Sequence, residues 1–236
     1  MKKIIGILLV IGASLVLVGC VDTVRGQGEL IARDFDVETF SEVNVGGSFY
    51  VIWRESDEFT VTVYMQENLF NNLVVEVQNN TLRVRTTGST TFTNQNRPRL
   101  YVYAPTIEAV NFSGSTTAEN WDTINGTSFS ANISGSATLD IVLHVQSVEI
   151  DSSGSGRFTL TGTTDILDVS SSGASRIHAD QLRANTANIN ISGSGQAYVN
   201  VVDILDVRVS GSGTVRYSGN PQISQNISGS GRVIAE

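Results

Sequence analysis

Hydrophobic and polar positions alternate with a period of two over most of the chain. Near the C-terminus, for example, Leu205, Val207 and Val209 share one phase, and polar residues stand between them. Alternation of this kind predicts β-strands with one buried face. No long stretch has a helical period, and residues 65–72 could form one helical turn at most. The pattern therefore predicts an all-β fold.

A Ser-Gly pair recurs seven times after residue 106, often as Ser-Gly-Ser-Gly, with strand-forming residues on both sides. Consecutive pairs are 18–21 residues apart, and a second break such as Gly162 falls about half a period later. Each unit thus holds two short strands and two turns. Coils of about 19 residues stacked on one another predict a parallel β-solenoid over residues 106–236. A flexible Gly/Ser linker is the alternative, but strand-like runs fill the space between the pairs. The seven pairs are Ser113-Gly114, Ser134-Gly135, Ser153-Gly154, Ser172-Gly173, Ser192-Gly193, Ser210-Gly211 and Ser228-Gly229.

Stacking explains why the same residue types recur at these turns. Aligned coils would place the seven serines in a ladder with steps of about 4.8 Å. The glycines mark a sharp turn in which no side chain fits. We expect the serine hydroxyls to close the turns by bonding local backbone groups.

Residues 29–105 lack the Ser-Gly pair but still alternate. Strands are expected near residues 43–45, 59–64, 73–77, 82–85 and 100–103. The Asn79-Asn80 pair between two of them signals a tight turn. We expect this segment to cap the solenoid, because an uncovered end would expose strand edges.

The N-terminus predicts export and lipidation. Lys2 and Lys3 precede an apolar run over residues 4–17, and Leu-Val-Gly then leads to Cys20. This pattern is typical of a signal peptide over residues 1–19, and the run is shorter than the roughly 20 residues that span a bilayer. Cys20, the only cysteine, would carry the lipid, with residues 20–28 as a short tether. The predicted location is the cell envelope, on the outer membrane if the organism has one.

Charge and cysteine content exclude several classes of function. Apart from the two lysines of the leader, the chain has 13 arginines and 23 acidic residues. So acidic a surface repels nucleic acid. A single cysteine also excludes an internal disulfide. His144 and His178 fall in different coils, and no phosphate-binding loop occurs. We therefore expect no catalytic residues, no cofactor and no resident metal.

One polar column is a candidate site. Five residues before successive central glycines stand Glu149, Asp168, Asn188 and Asp206. Three residues before the same glycines stand Asp151, Ser170, Asn190 and Arg208. The carboxylates Glu149, Asp151, Asp168 and Asp206 could bind Ca²⁺ or a sugar, or they could form a solvated acidic face.

The leader, the segment ARDFDVETFSEVNVGGSFYVIW and the serial Ser-Gly turns resemble the family of putative auto-transporter adhesins, head GIN domain. The resemblance covers nearly all of the chain after the leader. It implies a β-helical fold whose Gly-Ser-Gly segments turn between two sheets, and a role in adhesion. It defines no catalytic residues. The chain departs from the motif at Ser115-Thr116 and at Ala174-Ser175.

Three functions follow from these observations. The first is a non-enzymatic envelope lipoprotein that displays its solenoid for adhesion or as a scaffold, with a surface glycan or a protein as ligand. The alternative is a β-helical protein that binds or degrades polysaccharide, with Glu149, Asp151, Asp168 and Arg208 as its candidates. A flat ladder that binds ice or glycans would favour threonine on a strand, so serine in a turn argues against it. The oligomeric state stays open.

Overall fold

The computed structural model describes residues 23–88, 91–93, 97–120 and 122–236. Cys20 and the predicted signal peptide lie outside the described residues. The chain is nearly all β, with 73% of residues in strands and 3% in helix, which confirms the all-β prediction. None of the described helical segments has the length and apolar character needed to cross a membrane.

One short 3-10 helix, Glu67–Asn72, interrupts the strands. The strands are β1 (Thr23–Arg25), β2 (Leu30–Asp36), β3 (Glu42–Gly47), β4 (Tyr50–Glu55), β5 (Thr60–Gln66), β6 (Leu73–Gln78), β7 (Thr81–Thr86), β8 (Thr91–Thr93), β9 (Arg99–Ala104), β10 (Ala109–Gly114), β11 (Thr117–Asn120), β12 (Ile124–Ile133), β13 (Thr138–Ser152), β14 (Arg157–Ser171), β15 (Arg176–Gly193), β16 (Gln196–Gly211), β17 (Thr214–Gly219), β18 (Gln222–Gly229) and β19 (Arg232–Ala235).

Two parallel stacks of strands form the walls of the solenoid. The first sheet holds the strand that precedes each central glycine, in the order β7, β3, β10, the C-terminal parts of β12–β16, and β18. The second sheet holds the strand that follows the glycine, in the order β9, β4, β11, the N-terminal parts of β13–β16, β17 and β19. Strands β13–β16 run from the second sheet of one coil into the first sheet of the next.

These sheets make about seven stacked coils of about 19 residues, so the predicted parallel β-solenoid is confirmed. Inward-facing residues such as Leu139, Ile150 and Leu160 are at most 1% exposed. Burial of each large aliphatic side chain contributes about 1.5–3 kcal/mol to folding. The alternation read from the sequence therefore fills one continuous core between the two sheets.

Residues 29–105 add two further coils and cover one end of the stack. Strands β3 and β4 form a coil in register with β10 and β11, and Gly47 stands opposite Gly114. Strands β7 and β9 stack on the other side of that coil. Beyond them, β6 pairs antiparallel with β7, and β5 and β2 extend the second sheet antiparallel from β9. Strand β6 reaches β7 through Asn79 and Asn80, both with positive φ, as a tight hairpin requires.

The region predicted as a tether is partly ordered. Strand β1 lies inside residues 20–28 and pairs in parallel with β8. Asn68 accepts a hydrogen bond from the Gln27 amide at 2.8 Å and donates one to the Arg25 carbonyl at 2.9 Å. Half-buried Val24 packs against the core. The N-terminus of the described chain is thus fixed to the covered end of the solenoid.

A candidate binding groove along the first sheet

The turn between the two sheets depends on glycine. Gly114 and Gly211 have φ of 128° and 127°, a region that side chains rarely adopt. A Cβ on Gly135 or Gly154 would overlap the carbonyl oxygen of the glycine one coil earlier. The coils can therefore approach each other here only because the central column lacks side chains.

Backbone hydrogen bonds, rather than serine hydroxyls, close these turns. The Ser136 amide donates to the Gly114 carbonyl at 2.9 Å, and the Ser155 amide donates to the Gly135 carbonyl at 3.0 Å. The seven ladder serines lie directly before the central glycines of successive coils, and they are exposed. Among the described residues, no hydrogen bond to their hydroxyl groups is found. The expected bonds from hydroxyl to backbone are therefore replaced by bonds between the backbones of adjacent coils.

All seven ladder serines line one groove of about 800 Å³ on the first sheet. A second wall of the groove is the column three residues before each central glycine, which we call the asparagine column. It consists of Asn44, Asn111, Asn132, Asp151, Ser170, Asn190, Arg208 and Asn226. Eight coils at a step of about 4.8 Å give the groove a length of roughly 34 Å.

The floor between the two walls consists of buried residues. It is apolar at both ends, with Phe112 and Ile133 on one side and Ile191 on the other. The two middle coils carry Ser152 and Ser171 instead. The floor is therefore polar only near its centre.

These central serines differ in their bonding. The Ser152 hydroxyl bonds the Ser175 hydroxyl at 2.5 Å, and the latter reaches the Gly154 carbonyl at 3.2 Å. The Ser171 side chain is 3% exposed, and its hydroxyl has no hydrogen-bond partner among the described residues. An unpaired buried hydroxyl costs about 1–3 kcal/mol.

The groove contains little charge. Asp151 and Arg208 are the only charged side chains among the described residues that line it, and three coils, about 14 Å, separate them. Arg208 pairs with Asp206 at 3.0 Å outside the groove. The five asparagine amides of the column make no hydrogen bond with another described side chain or backbone group. They are therefore available to a ligand.

Three of the four predicted carboxylates, Glu149, Asp168 and Asp206, lie beside the groove and do not line it. Glu149 stands next to Asp168, Asp168 next to Asn188, and Asn188 next to Asp206. The Asn188 amide donates to Asp168 at 2.7 Å. Within the described ranges, no cluster of three or more metal-ligating side chains occurs. Of the four candidate carboxylates, only Asp151 lines the groove.

The histidines lie two coils apart and at different positions in the register. His144 contacts the Thr163 hydroxyl at 2.9 Å. His178 stacks on Tyr198 on the outer face of the second sheet, with ring centroids 4.8 Å apart. On the same face, burial and a hydrogen bond to Glu119 raise the pKa of Tyr50. None of these residues lines the groove.

The sequence reading found part of the groove and missed its extent. It identified the serine ladder and four members of the asparagine column, Asp151, Ser170, Asn190 and Arg208. It did not connect them with Asn44, which lies in residues 29–105 and precedes a Gly-Gly pair instead of Ser-Gly. Asparagine recurs three residues before the central glycine at Asn111, Asn132 and Asn226. That recurrence was the available signal.

Comparison with known proteins agrees with this architecture. A putative adhesin from Bacteroides fragilis is 26% identical, with a TM-score of 0.84, over 90% of this chain and 100% of its own. A putative adhesin from Parabacteroides distasonis is 23% identical, with a TM-score of 0.70, over 91% and 100%. A putative lipid binding protein from the same species is 23% identical, with a TM-score of 0.72, over 91% and 100%. The last two likenesses show the fold alone.

No curated protein matches the chain. The sequence model of the family described as putative auto-transporter adhesin, head GIN domain, matches residues 39–221. This match spans more than half of the chain and includes both the coil of β3 and β4 and most of the serial turns. The chain therefore belongs to the putative auto-transporter adhesin, head GIN domain family.

Proposed function

We propose that the protein is a non-enzymatic adhesion protein of the cell envelope, and that it holds its ligand in the groove. The observation that carries this proposal is the continuity of the groove over eight coils. A long row of similar weak contacts suits attachment to an extended ligand, because many small contributions add along one chain. Membership in an adhesin family supports the same role.

The alternative, polysaccharide cleavage, has weaker support. Glycoside hydrolysis commonly uses two carboxyl groups roughly 5–9.5 Å apart, on either side of the bond that is cut. Asp151 is the only carboxylate among the described residues that line the groove. Glu149 and Asp168 occupy adjacent coils, but they lie outside it. The chemistry of the groove therefore favours binding without cleavage.

A lipid on Cys20 would give such a protein a fixed position. Two residues separate Cys20 from β1, and β1 pairs with β8 at the covered end of the solenoid. Since an extended residue spans at most about 3.6 Å, the covered end would lie close to the membrane. We propose that the groove begins near this end and extends away from it.

Adhesion is tested with the full chain, purified in mild detergent and coupled to microspheres. These beads are applied to bacterial cells, matrix proteins and immobilised polysaccharides, beside beads coated with albumin. We expect strong attachment to at least one surface, and its loss with Ser172→Trp, which fills the groove from an exposed position. Attachment no better than that of albumin beads on every surface would rule out adhesion.

The anchor is tested by Cys20→Ala in the full chain, expressed in a bacterium fed an alkyne analogue of palmitate. We expect the wild type in the membrane fraction with the label attached. The variant should lose the label, because Cys20 is the only thiol in the chain. A variant that takes up as much label as the wild type would contradict lipidation of Cys20.

A further inference from the structure

We infer that the groove binds a neutral polysaccharide, which lies along the solenoid axis. This inference rests on the proposed adhesive function and names its ligand class. Four coils offer an asparagine amide beside a ladder serine, at Asn111, Asn132, Asn190 and Asn226, and the Ser170 coil offers serine on both walls. In the coils of Asp151 and Arg208, serine stands beside the charged residue. Amides and hydroxyls both donate and accept hydrogen bonds. A chain of sugar hydroxyls does the same, so it can pair with either wall.

The amides can bind a ligand of this kind because the protein itself leaves them without hydrogen-bond partners. Asn111 and Asn190 are half-buried and make no hydrogen bond with another described side chain or backbone group. The buried Ser171 hydroxyl, which belongs to a groove-lining residue, also has no partner among the described residues. The Ser171 hydroxyl is removed from water and destabilises the free protein, whereas water solvates the partly exposed amides. A hydroxyl-rich ligand would replace the water on these amides without leaving them unpaired.

The charge around the groove disfavours an anionic ligand. Asp151 and Arg208 give the groove no net formal charge, and Asp206 pairs with Arg208, whereas the chain as a whole has a net charge of −8. Glu149 and Asp168 stand in the neighbouring column of the same sheet. An acidic glycan would meet repulsion along the groove, while a neutral glycan would not.

Geometry favours a glycan over a peptide. The backbone groups of the groove strands already bond the neighbouring coils, as in the Ser153 amide to the Ile133 carbonyl at 2.9 Å, so a peptide cannot be added as another strand. An extended peptide rises by about 3.3 Å per residue, which is out of step with coils spaced by about 4.8 Å. A sugar ring in an extended glycan is about as long as one coil step. Successive rings can therefore meet successive coils.

The test is electrophoresis of the full chain in native gels with detergent and dissolved polysaccharide. The neutral probes are dextran, laminarin, mannan and galactan, and the anionic probes are polygalacturonate and chondroitin sulfate. We expect retardation by at least one neutral probe and by neither anionic probe. Oligosaccharides of the active probe should compete better as they lengthen, up to about seven or eight rings.

Two groove variants and one control locate the site. Asn132→Ala combined with Asn190→Ala removes two wall amides and should weaken retardation at least tenfold. Ser172→Trp should abolish it. Thr138→Ala combined with Thr214→Ala alters two half-buried threonines on the outer face of the second sheet and should leave retardation unchanged. Circular dichroism checks that every variant is folded.

The outcomes separate this inference from the proposed function. If the beads adhere but no neutral polysaccharide retards the chain, the proposed ligand class is wrong and the adhesive function still stands. Equal retardation of the groove variants and the control would overturn the groove as the site. If peptides compete for the groove and oligosaccharides do not, the ligand is a protein rather than a glycan. Beads that adhere to nothing would overturn the proposed function itself.

Discussion

Each central glycine lies against the carbonyl oxygen of the glycine one coil earlier, so neighbouring coils touch through bare backbone. At Gly154 an added Cβ would overlap the carbonyl oxygen of Gly135, which belongs to a hydrogen-bonded turn and cannot move independently. Gly126 on strand β12 has no atom within 4 Å of its Cβ position. The same residue type thus has opposite roles at two places in one solenoid.

We expect Gly154→Ala to lower the free energy of unfolding by about 1–3 kcal/mol, because overpacking displaces backbone. Gly126→Ala is the matched control and should change it by no more than about 0.5 kcal/mol. Urea unfolding followed by circular dichroism measures both. Similar effects of the two substitutions would show that the close approach at Gly154 is not the reason for glycine there.

The coil is the element from which this molecule is built, and its position in the stack decides what its residues contribute. Leu160 of β14 lies between coils on both sides and is 0% exposed. Ile223 of β18 belongs to the last described coil, where its side chain is 38% exposed. Both side chains are similar in size, but only the first is enclosed.

Leu160→Ala should therefore lower the free energy of unfolding by about 2–5 kcal/mol, since it leaves a cavity in a packed core. Ile223→Ala should cost less than about 1 kcal/mol, because water already reaches this side chain. The comparison uses thermal and urea unfolding of the full chain in detergent. A cost at Ile223 as large as that at Leu160 would mean that the last coil is covered in solution.

At the level of elements, the sequence predicted the serial coils well because their spacing is regular. The Asn79-Asn80 pair predicted the hairpin, and the alternation of apolar and polar residues predicted the strands on either side of it. The coil of β3 and β4 was missed because 67 residues separate Glu42 from its partner Ala109. No period of 19 can reveal a neighbour at that distance. The concave shape of the groove was missed for a different reason, since concavity depends on how the sheet bends at each turn.

At the scale of the whole molecule, an acidic protein has a nearly neutral groove. The net charge of −8 is spread over other surfaces, and the groove holds one charge of each sign. Salt screens interactions between exposed charges over about 10 Å at 0.1 M. It has little effect on hydrogen bonds between neutral groups.

Retardation by a neutral polysaccharide should therefore change less than about twofold between 0.05 and 0.5 M NaCl. The measurement repeats the native gels at several salt concentrations, or uses calorimetry where gels fail. A ligand held by charge would lose affinity steeply over this range. Such a loss would point to Asp151 and Arg208, rather than the amides and hydroxyls, as the main contacts.

The coil of β3 and β4 has a consequence for the order in which the chain folds. Its neighbours on both sides come later in the sequence, since β7 and β9 stack on one side and β10 and β11 on the other. Joining β10 to β3 closes 67 residues, whereas later coils close about 19. The longer closure costs about 1 kcal/mol more in chain entropy. We expect the serial coils, whose closures are shorter, to stack on one another first, and β3 to join β10 in a later step.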